Sequence, residues 1–213
     1  MRQTKPAASP NEADRGSKTD AILRGARAIF MAHGFSAATT DMIQRAAEVS
    51  KSTVYSYYPT KEELFVAVIE AECRTFTDSI QGIKFRPGKL GETLAELARA
   101  YLNIVLSETA LSLLRVIIAE APRFPEQARA FYLAGPSVIA SMVAEILGSA
   151  AASGEVDLTE CGRLGAADLF ANMVRGGPQF QCLLHPNTSP SAAQIDQWVA
   201  MVVTTFMRAY GRE

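Results

Sequence analysis

The chain has 213 residues, of which 48% are hydrophobic and 20% charged, as in an ordinary globular protein and unlike a disordered or fibrous one. No apolar run approaches the roughly 20 residues that a membrane-spanning helix needs, and the polar N-terminal segment lacks the apolar stretch of a secretory signal. The length allows a small domain joined to a larger one. These features predict a cytoplasmic protein.

The formal net charge of −1 conceals an uneven distribution along the chain. Residues 1–61 carry nine basic and five acidic side chains, a net of +4, whereas the remainder carries twelve and seventeen, a net of −5. A basic end on an acidic body suits a protein of which only one end meets phosphates. The three cysteines, Cys73, Cys161 and Cys182, have no paired spacing, so neither a disulfide framework nor a metal site is expected.

Helical periodicity runs through nearly the whole sequence, and strand signals are almost absent. Residues 1–16 contain two prolines and a glycine and are predicted to form a flexible arm. A first helix is expected to begin at Ser17, where Asp20 completes a capping box, and to end at Gly34.

Two short helices are predicted next, at residues 40–47 and 50–58, with a tight turn between them. Pro59 ends the second, and a capped helix then runs from Thr60 to about Gly82. Because two short helices bury little surface of their own, the pair is expected to serve a purpose beyond packing.

A larger helical body is predicted after a linker at residues 83–91. Its helical patterns cover residues 91–106, 108–121, 124–152, 159–184 and 191–210. The predicted fold is therefore all-α, with an arm at 1–16, a head at 17–64 whose linking helix reaches about residue 82, and a body at 83–213.

The second short helix has an inner and an outer face. Val54 and Tyr58 are four residues apart and face inward. The side chains that remain outside are Lys51, Ser52, Tyr55 and Ser56, with Thr53 and Tyr57 at the edges. Small hydroxyl-bearing side chains and one cation suit a helix that enters the major groove of DNA.

Lys61 lies in the first turn of the following helix, where the helix dipole disfavours a cation. The placement is explained if the lysine and the helix N-terminus bind a phosphate together. A solvated lysine, tolerated at about a few tenths of a kcal/mol, explains it equally well.

Over about sixty residues the head resembles the DNA-binding signature of the TetR family. The resemblance is carried by GFSAATT (34–40), Ile43 and AEVSKSTVYSYYPTKEEL (47–64). It implies a homodimeric transcriptional repressor that a small-molecule effector releases from a palindromic DNA operator, with residues 50–58 as the recognition helix. The implied contacts to bases or phosphates are Ser50, Lys51, Ser52 and Thr53, and those to phosphates are Thr40, Tyr55, Tyr57 and Lys61.

Two residues depart from the family pattern. Glu48 replaces the usual glycine of the turn, from which we expect a turn that keeps φ negative and a negative charge near DNA. Gln44 replaces an alanine after Ile43 and is expected to reach the DNA backbone or a base edge.

The last predicted helix carries an apolar stripe wider than one packed face requires. The resemblance implies that the last two helices form the dimer interface, and the residues predicted there are Trp198, Val199, Val202 and Phe206. An internal core helix is the alternative explanation of part of the stripe.

Residues 113–125 (LLRVIIAEAPRFP), with Ala166, Ala167 and Phe170, resemble the C-terminal domain of the AefR-like subgroup. Candidate contacts to the effector are Tyr101, Arg115, Phe131, Tyr132, Phe170 and Met173. Each is also explained as core, and Arg115 alternatively as paired with Glu120 or extended to solvent. No cofactor other than the effector is expected.

An enzyme and a helical module without DNA function are the two alternatives to a DNA-binding regulator. The sequence has no nucleophile elbow, no glycine-rich phosphate loop and no metal-ligand spacing, so an enzyme is not expected. A helical dimeric module that binds protein or ligand without DNA function is the alternative, and salt-dependent DNA affinity would separate the two.

Overall fold

The computed structural model describes residues 10–186 and 188–212, and within these ranges it confirms the all-α prediction. The predicted arm lies outside the described residues up to residue 9. The helices are α1 (Pro10–Ala37), α2 (Thr40–Ala46), α3 (Lys51–Tyr57), α4 (Lys61–Asp78), α5 (Leu90–Val105), α6 (Glu108–Glu120), α7 (Pro125–Ala134), α8 (Pro136–Ala152), α9 (Gly162–Leu184) and α10 (Ala192–Tyr210).

Helix α1 begins at Pro10, about two turns before the predicted start, so the predicted capping box at Ser17 is wrong. Proline is favoured in the first turn of a helix because its missing N–H would have no partner there. The predicted end is confirmed, because Gly34 leaves the helical conformation with φ 74° and ψ 170°. One further turn, up to Ala37, then leads to α2.

The single helix predicted at residues 124–152 is two helices in the structure. Pro136 has no N–H to donate and its ring crowds the preceding turn, so the helix breaks at Gly135, where φ is −114° and ψ −84°. Within Pro125–Ala152, a window of 18 residues has a mean hydropathy of 1.6, and the stretch is long enough to cross a membrane. The prediction that no such stretch exists is therefore wrong on composition, but Ile139, Val143 and Leu147 of α8 are buried in the protein's own core.

Two hydrophobic cores are present in the described chain. The body core joins α5, α8, α9 and α10. The head core joins α1 to α4 and also takes in Leu113 and Ile117 of α6, so α6 belongs in part to the head. A cluster of phenylalanines lies at the centre of the head core, where the ring of Phe35 lies 4.8 Å from that of Phe65 and 4.5 Å from that of Phe124.

Helices α1 and α2 approach each other so closely that one residue of α1 must lack a side chain. A Cβ atom on Gly25 would lie 2.7 Å from the backbone nitrogen of Ala47 and 2.8 Å from its Cβ. The contact fixes the angle at which α2, and therefore α3, leaves the head core.

We expect Gly25→Ala to lower the free energy of unfolding by about 1–3 kcal/mol, because the added methyl meets backbone that must move. Gly16→Ala in the same helix is the matched control: its Cβ would meet nothing within 4 Å, so a gain of about 0.5–1 kcal/mol is expected. Chemical denaturation of both variants measures the difference, and equal stabilities would contradict the close approach.

Candidate DNA-binding site and effector cavity

Local side-chain caps set the positions of α2 and α3. The Thr39 hydroxyl accepts a hydrogen bond from the backbone N–H of Met42 at the start of α2, and the Ser50 hydroxyl accepts one from Thr53 at the start of α3. Ile43 and Val54 are buried between the helices. The two helices therefore form a helix-turn-helix whose second member has an exposed outer face.

Hydroxyl groups cover much of this outer face. The Oγ atom of Ser50 lies 2.8 Å from Oγ of Ser52 and 2.7 Å from Oγ1 of Thr53. On the other side, the Tyr55 hydroxyl lies 3.3 Å from Oγ1 of Thr40 on α2, and the Tyr55 side chain is 43% exposed. The structure thus brings five of the predicted DNA contacts together on one surface, and hydroxyls of this kind both donate to and accept from DNA.

Lys51 also lies on this surface, where its Nζ atom is 3.0 Å from Oδ1 of Asp41 on α2. The hydrogen bond to Asp41 and its charge raise the pKa of the Lys51 ammonium, which keeps it positive. Both side chains are about half exposed, and such surface pairs add little to stability, so Asp41 is easily exchanged for a phosphate. Gln44 and Tyr57 are half-buried, and Tyr57 packs against the head core.

The turn between α2 and α3 corrects one prediction. Glu48 has φ +54°, in the left-handed region, so the expectation of a negative φ is wrong. The backbone N–H of Val49 reaches back to the carbonyl of Gln44, which closes α2 in a conformation that glycine adopts more easily. Glu48 therefore holds a strained backbone beside the candidate DNA surface.

Lys61 has partners within the protein that the sequence did not reveal. Its Nζ atom donates to the carbonyl oxygens of Phe35 at 2.9 Å and Ala38 at 3.1 Å, and lies 4.5 Å from the centre of the Phe35 ring. The carbonyl oxygens at the C-terminal end of α1 carry the partial negative charge of the helix dipole, and the ammonium of Lys61 neutralises it. The ammonium thus stabilises the end of α1, and the phosphate contact predicted for Lys61 stays a prediction.

The same turn is held from the opposite side by Glu120 at the end of α6. Its two carboxylate oxygens accept the backbone N–H of Ser36 at 2.8 Å and the Ser36 hydroxyl at 2.6 Å. Burial opposes ionisation of Glu120, but the hydrogen bonds from Ser36 and the charges of Arg123 and Lys61 outweigh it and lower the pKa. A lowered pKa means that this link contributes fully at neutral pH and is lost as the pH falls through the folded-state value.

A cavity lies in the body beside these contacts, between α4, α5, α6, the α7–α8 break and α9. It encloses about 60 Å3 of free space. Its walls are mostly apolar, with Phe76, Leu113, Phe131 and Ile139 among them, and its polar lining consists of Cys73, Thr77, Tyr101, Arg175 and Gln179. Burial raises the pKa of the Cys73 thiol to about 11, so the thiol is neutral and unreactive at physiological pH.

Two of the six predicted effector contacts, Tyr101 and Phe131, line this cavity. The other four lie outside it. Arg115 donates from Nη2 to the carbonyl of Cys182 at 2.9 Å and joins α6 to α9, and Tyr132 is 56% exposed on α7. Phe170 stacks edge-to-face on Phe206 in the body core, and Met173 packs against that core.

Sequence reasoning missed the polar residues that α9 contributes to the cavity. Arg175 and Gln179 are four residues apart on one face of α9. Their four-residue spacing was the available signal, but α9 carries other polar residues as well, and nothing in the sequence says which of the neighbouring helices each one faces.

Three of the four dimer residues predicted on α10 need correction. Val199, Val202 and Phe206 are buried in the protomer's own core and present no surface to a second copy. Pro178 has no N–H, so the carbonyl oxygen of Val174 lacks its usual hydrogen bond within α9. The indole Nε1–H of Trp198 donates to this oxygen at 2.8 Å instead, and Trp198 thereby stabilises α9. The exposed apolar side chains of the last two helices, here named the α9–α10 face, are Leu164, Leu169, Phe180, Leu184 and Met201.

Together, the helix-turn-helix head, the cavity and the exposed helical face define an all-helical DNA-binding regulator. Residues 22–68 match the family model of the bacterial regulatory proteins of the tetR family, and residues 92–212 match the model of the AefR-like transcriptional repressor C-terminal domain. The chain belongs to the TetR family of transcriptional regulators, in its AefR-like subgroup.

Individual relatives agree with this assignment. The chain is 31% identical to the flavonoid-responsive regulator FrrA over 93% of its own length and 99% of that protein's, with a TM-score of 0.81. It is 25% identical to a chain from Mesorhizobium loti MAFF303099 assigned to the same family, over 92% and 98% of the two chains, with a TM-score of 0.83. It is also 38% identical to the regulator QacR of Staphylococcus aureus over 53 residues, which are 25% of this chain and 28% of that relative.

We expect Glu48→Gly to raise the free energy of unfolding by up to about 1 kcal/mol, because glycine adopts a positive φ without strain. Glu48→Ala is the matched control, since it removes the same charge but keeps the Cβ atom. Thermal denaturation should show stabilisation for the glycine variant only. If both variants are stabilised equally, the gain comes from the charge and the strain argument is wrong.

Proposed function

We propose that the protein is a cytoplasmic homodimeric repressor that binds a palindromic operator through α3 and is released by a small-molecule effector in the body cavity. The observation that carries the proposal is the exposed hydroxyl face of α3, with Ser50, Ser52, Thr53 and Tyr55. A face that is polar, capped and open to solvent suits insertion into a major groove. We further propose that the protein is not an enzyme and needs no cofactor.

The small size of the cavity supports the proposal that effector binding releases the DNA. Ligand pockets usually measure about 300–1,000 Å3, so an effector would have to displace walls that now enclose about 60 Å3. Helices α6 and α7 are two of these walls. Helix α6 ends at Glu120, which binds Ser36, and α7 begins directly after Phe124, whose ring packs on Phe35. An effector that binds better when these helices move would favour a different position of the head.

The kind of effector is suggested by the relatives and the lining. FrrA is described as responsive to flavonoids, and the cavity of this chain has two aromatic rings, Phe76 and Phe131, among its apolar walls. We therefore propose a small aromatic effector.

The operator contact is tested by selecting bound duplexes from a random DNA library and titrating the selected site by fluorescence anisotropy. Tyr55→Phe removes only a hydroxyl, and because hydrogen bonds to charged groups contribute about 1.5–3 kcal/mol, affinity should fall by about tenfold or more. Tyr132→Phe, on an exposed tyrosine of α7, is the matched control and should bind normally.

Lys61→Met extends the same titration. A lost phosphate contact would reduce the salt dependence of binding by about one charge, whereas the contacts to Phe35 and Ala38 predict lower stability with an unchanged salt dependence. Failure to select any site would favour the alternative of a helical module without DNA function.

The dimer is proposed to form through the α9–α10 face. Phe180 is 65% exposed and Leu184 62%, and an exposed apolar patch of this kind marks an interaction surface. A dimer would hold the two heads about one helical turn of DNA, roughly 34–36 Å, apart.

We expect Phe180→Glu to convert the dimer to a monomer in sedimentation analysis, because a charge would be buried without a partner. The control is Leu133→Glu, at an apolar residue of α7 that is 47% exposed and lies outside the proposed face. A dimer that survives Phe180→Glu, or dissociates with Leu133→Glu, would contradict the proposed interface.

A further inference from the structure

The lining of the cavity includes a cation and a hydroxyl group that no acidic side chain engages. Arg175 of α9 and Tyr101 of α5 both line the cavity. Burial raises the pKa of the Tyr101 phenol, and the nearby positive charge of Arg175 opposes that rise. The phenol is therefore protonated and available as a donor, and it lies within the electrostatic reach of the guanidinium.

Arg175 has no acidic partner in the described part of the chain. Its Nε and Nη2 atoms donate to the amide oxygen of Asn172, at 3.2 and 2.9 Å, and it takes part in none of the ion pairs there. A half-buried cation that is bonded only to a neutral amide keeps part of its desolvation penalty. An anionic oxygen in the cavity would relieve this penalty and could bind two guanidinium N–H groups.

Other polar groups of the lining are already engaged. Thr77 donates its hydroxyl hydrogen to the carbonyl of Arg74 at 3.1 Å, and Gln179 donates to the carbonyl of Val105 at 3.4 Å. Tyr101 has no hydrogen-bond partner among the described residues. Cys73 offers only a weak S–H donor and Gln179 one remaining amide N–H, so the strongest available donors belong to Arg175 and Tyr101. The rings of Phe76 and Phe131 belong to the apolar part of the lining.

We propose that the effector is an aromatic anion whose negatively charged oxygen is bound by Arg175 and the Tyr101 hydroxyl, and whose rings lie against Phe76 and Phe131. This inference rests on the proposed effector role of the cavity and names the chemical class that the cavity selects. A carboxylate and an ionised phenol both supply such an oxygen.

Calorimetric titration of the full-length protein with matched pairs of probes tests the proposal. The carboxylate pair is 2-naphthoate and its neutral counterpart 2-naphthamide. The phenol pair is naringenin and its methyl ether at the most acidic hydroxyl, titrated above the pKa of that hydroxyl. At least one anion should bind about tenfold more tightly than its neutral counterpart, since hydrogen bonds to a charged group contribute about 1.5–3 kcal/mol.

Arg175→Met should abolish this preference, and Tyr101→Phe should weaken it by about tenfold. Arg163→Met, at the other arginine of α9, is the matched control and should keep the preference, because Arg163 is exposed and outside the cavity. Equal binding of anion and neutral counterpart, binding of no probe, or a preference that survives Arg175→Met would overturn the proposal.

Operator affinity without a probe is measured on the same variants. Intact operator binding in Arg175→Met establishes that the variant is folded. If the wild-type protein binds no operator, the proposed function is contradicted. The preference for anions is then tested by the calorimetric titration alone.

Discussion

The turn of residues 34–38 brings together contacts from α4, α6 and the segment before α7. Lys61 donates to its carbonyl oxygens from α4, Glu120 accepts its Ser36 N–H and hydroxyl from α6, and the Phe35 ring packs between Phe65 and Phe124. Gly34 supplies the positive φ that starts the turn. Because α2 follows this turn directly, the direction in which α3 presents its hydroxyl face depends on contacts made by α4 and α6.

This arrangement connects the cavity and the DNA-binding surface through the same helices. Helices α4 and α6 line the cavity with Phe76 and Leu113, and their other parts hold the turn that precedes α2. A small cavity beside a tightly bonded turn favours two discrete arrangements over a gradual deformation, since packed cores are bistable. A ligand therefore needs only a difference in affinity between the two arrangements to change the position of the head.

Local signals predicted the head well, because caps and glycines act within a few residues: Ser50 caps α3, Thr60 caps α4, and Gly34 ends the first helix. Predictions failed where a residue's partner is distant in the chain. The apolar stripe of α10 indicates a helix that buries much surface, but it does not show which residues face the protomer's own core and which face a second protomer. Val199 and Phe206 were therefore assigned to the dimer interface, although they are buried in the protomer's own core. No acceptor for Lys61 is visible in the sequence, because the carbonyl oxygens that it binds approach it only after α1 and α4 pack.

Hydrogen exchange of backbone amides in the Glu120→Ala variant tests this account most directly, with Glu126→Ala, an exposed glutamate of α7, as the control. If the turn joins head to body, loss of the carboxylate should speed exchange in residues 34–38, in α2 and at the end of α6 together, while α10 remains protected. Faster exchange confined to Ser36, or the same pattern in Glu126→Ala, would contradict the claim that the head is positioned through this turn.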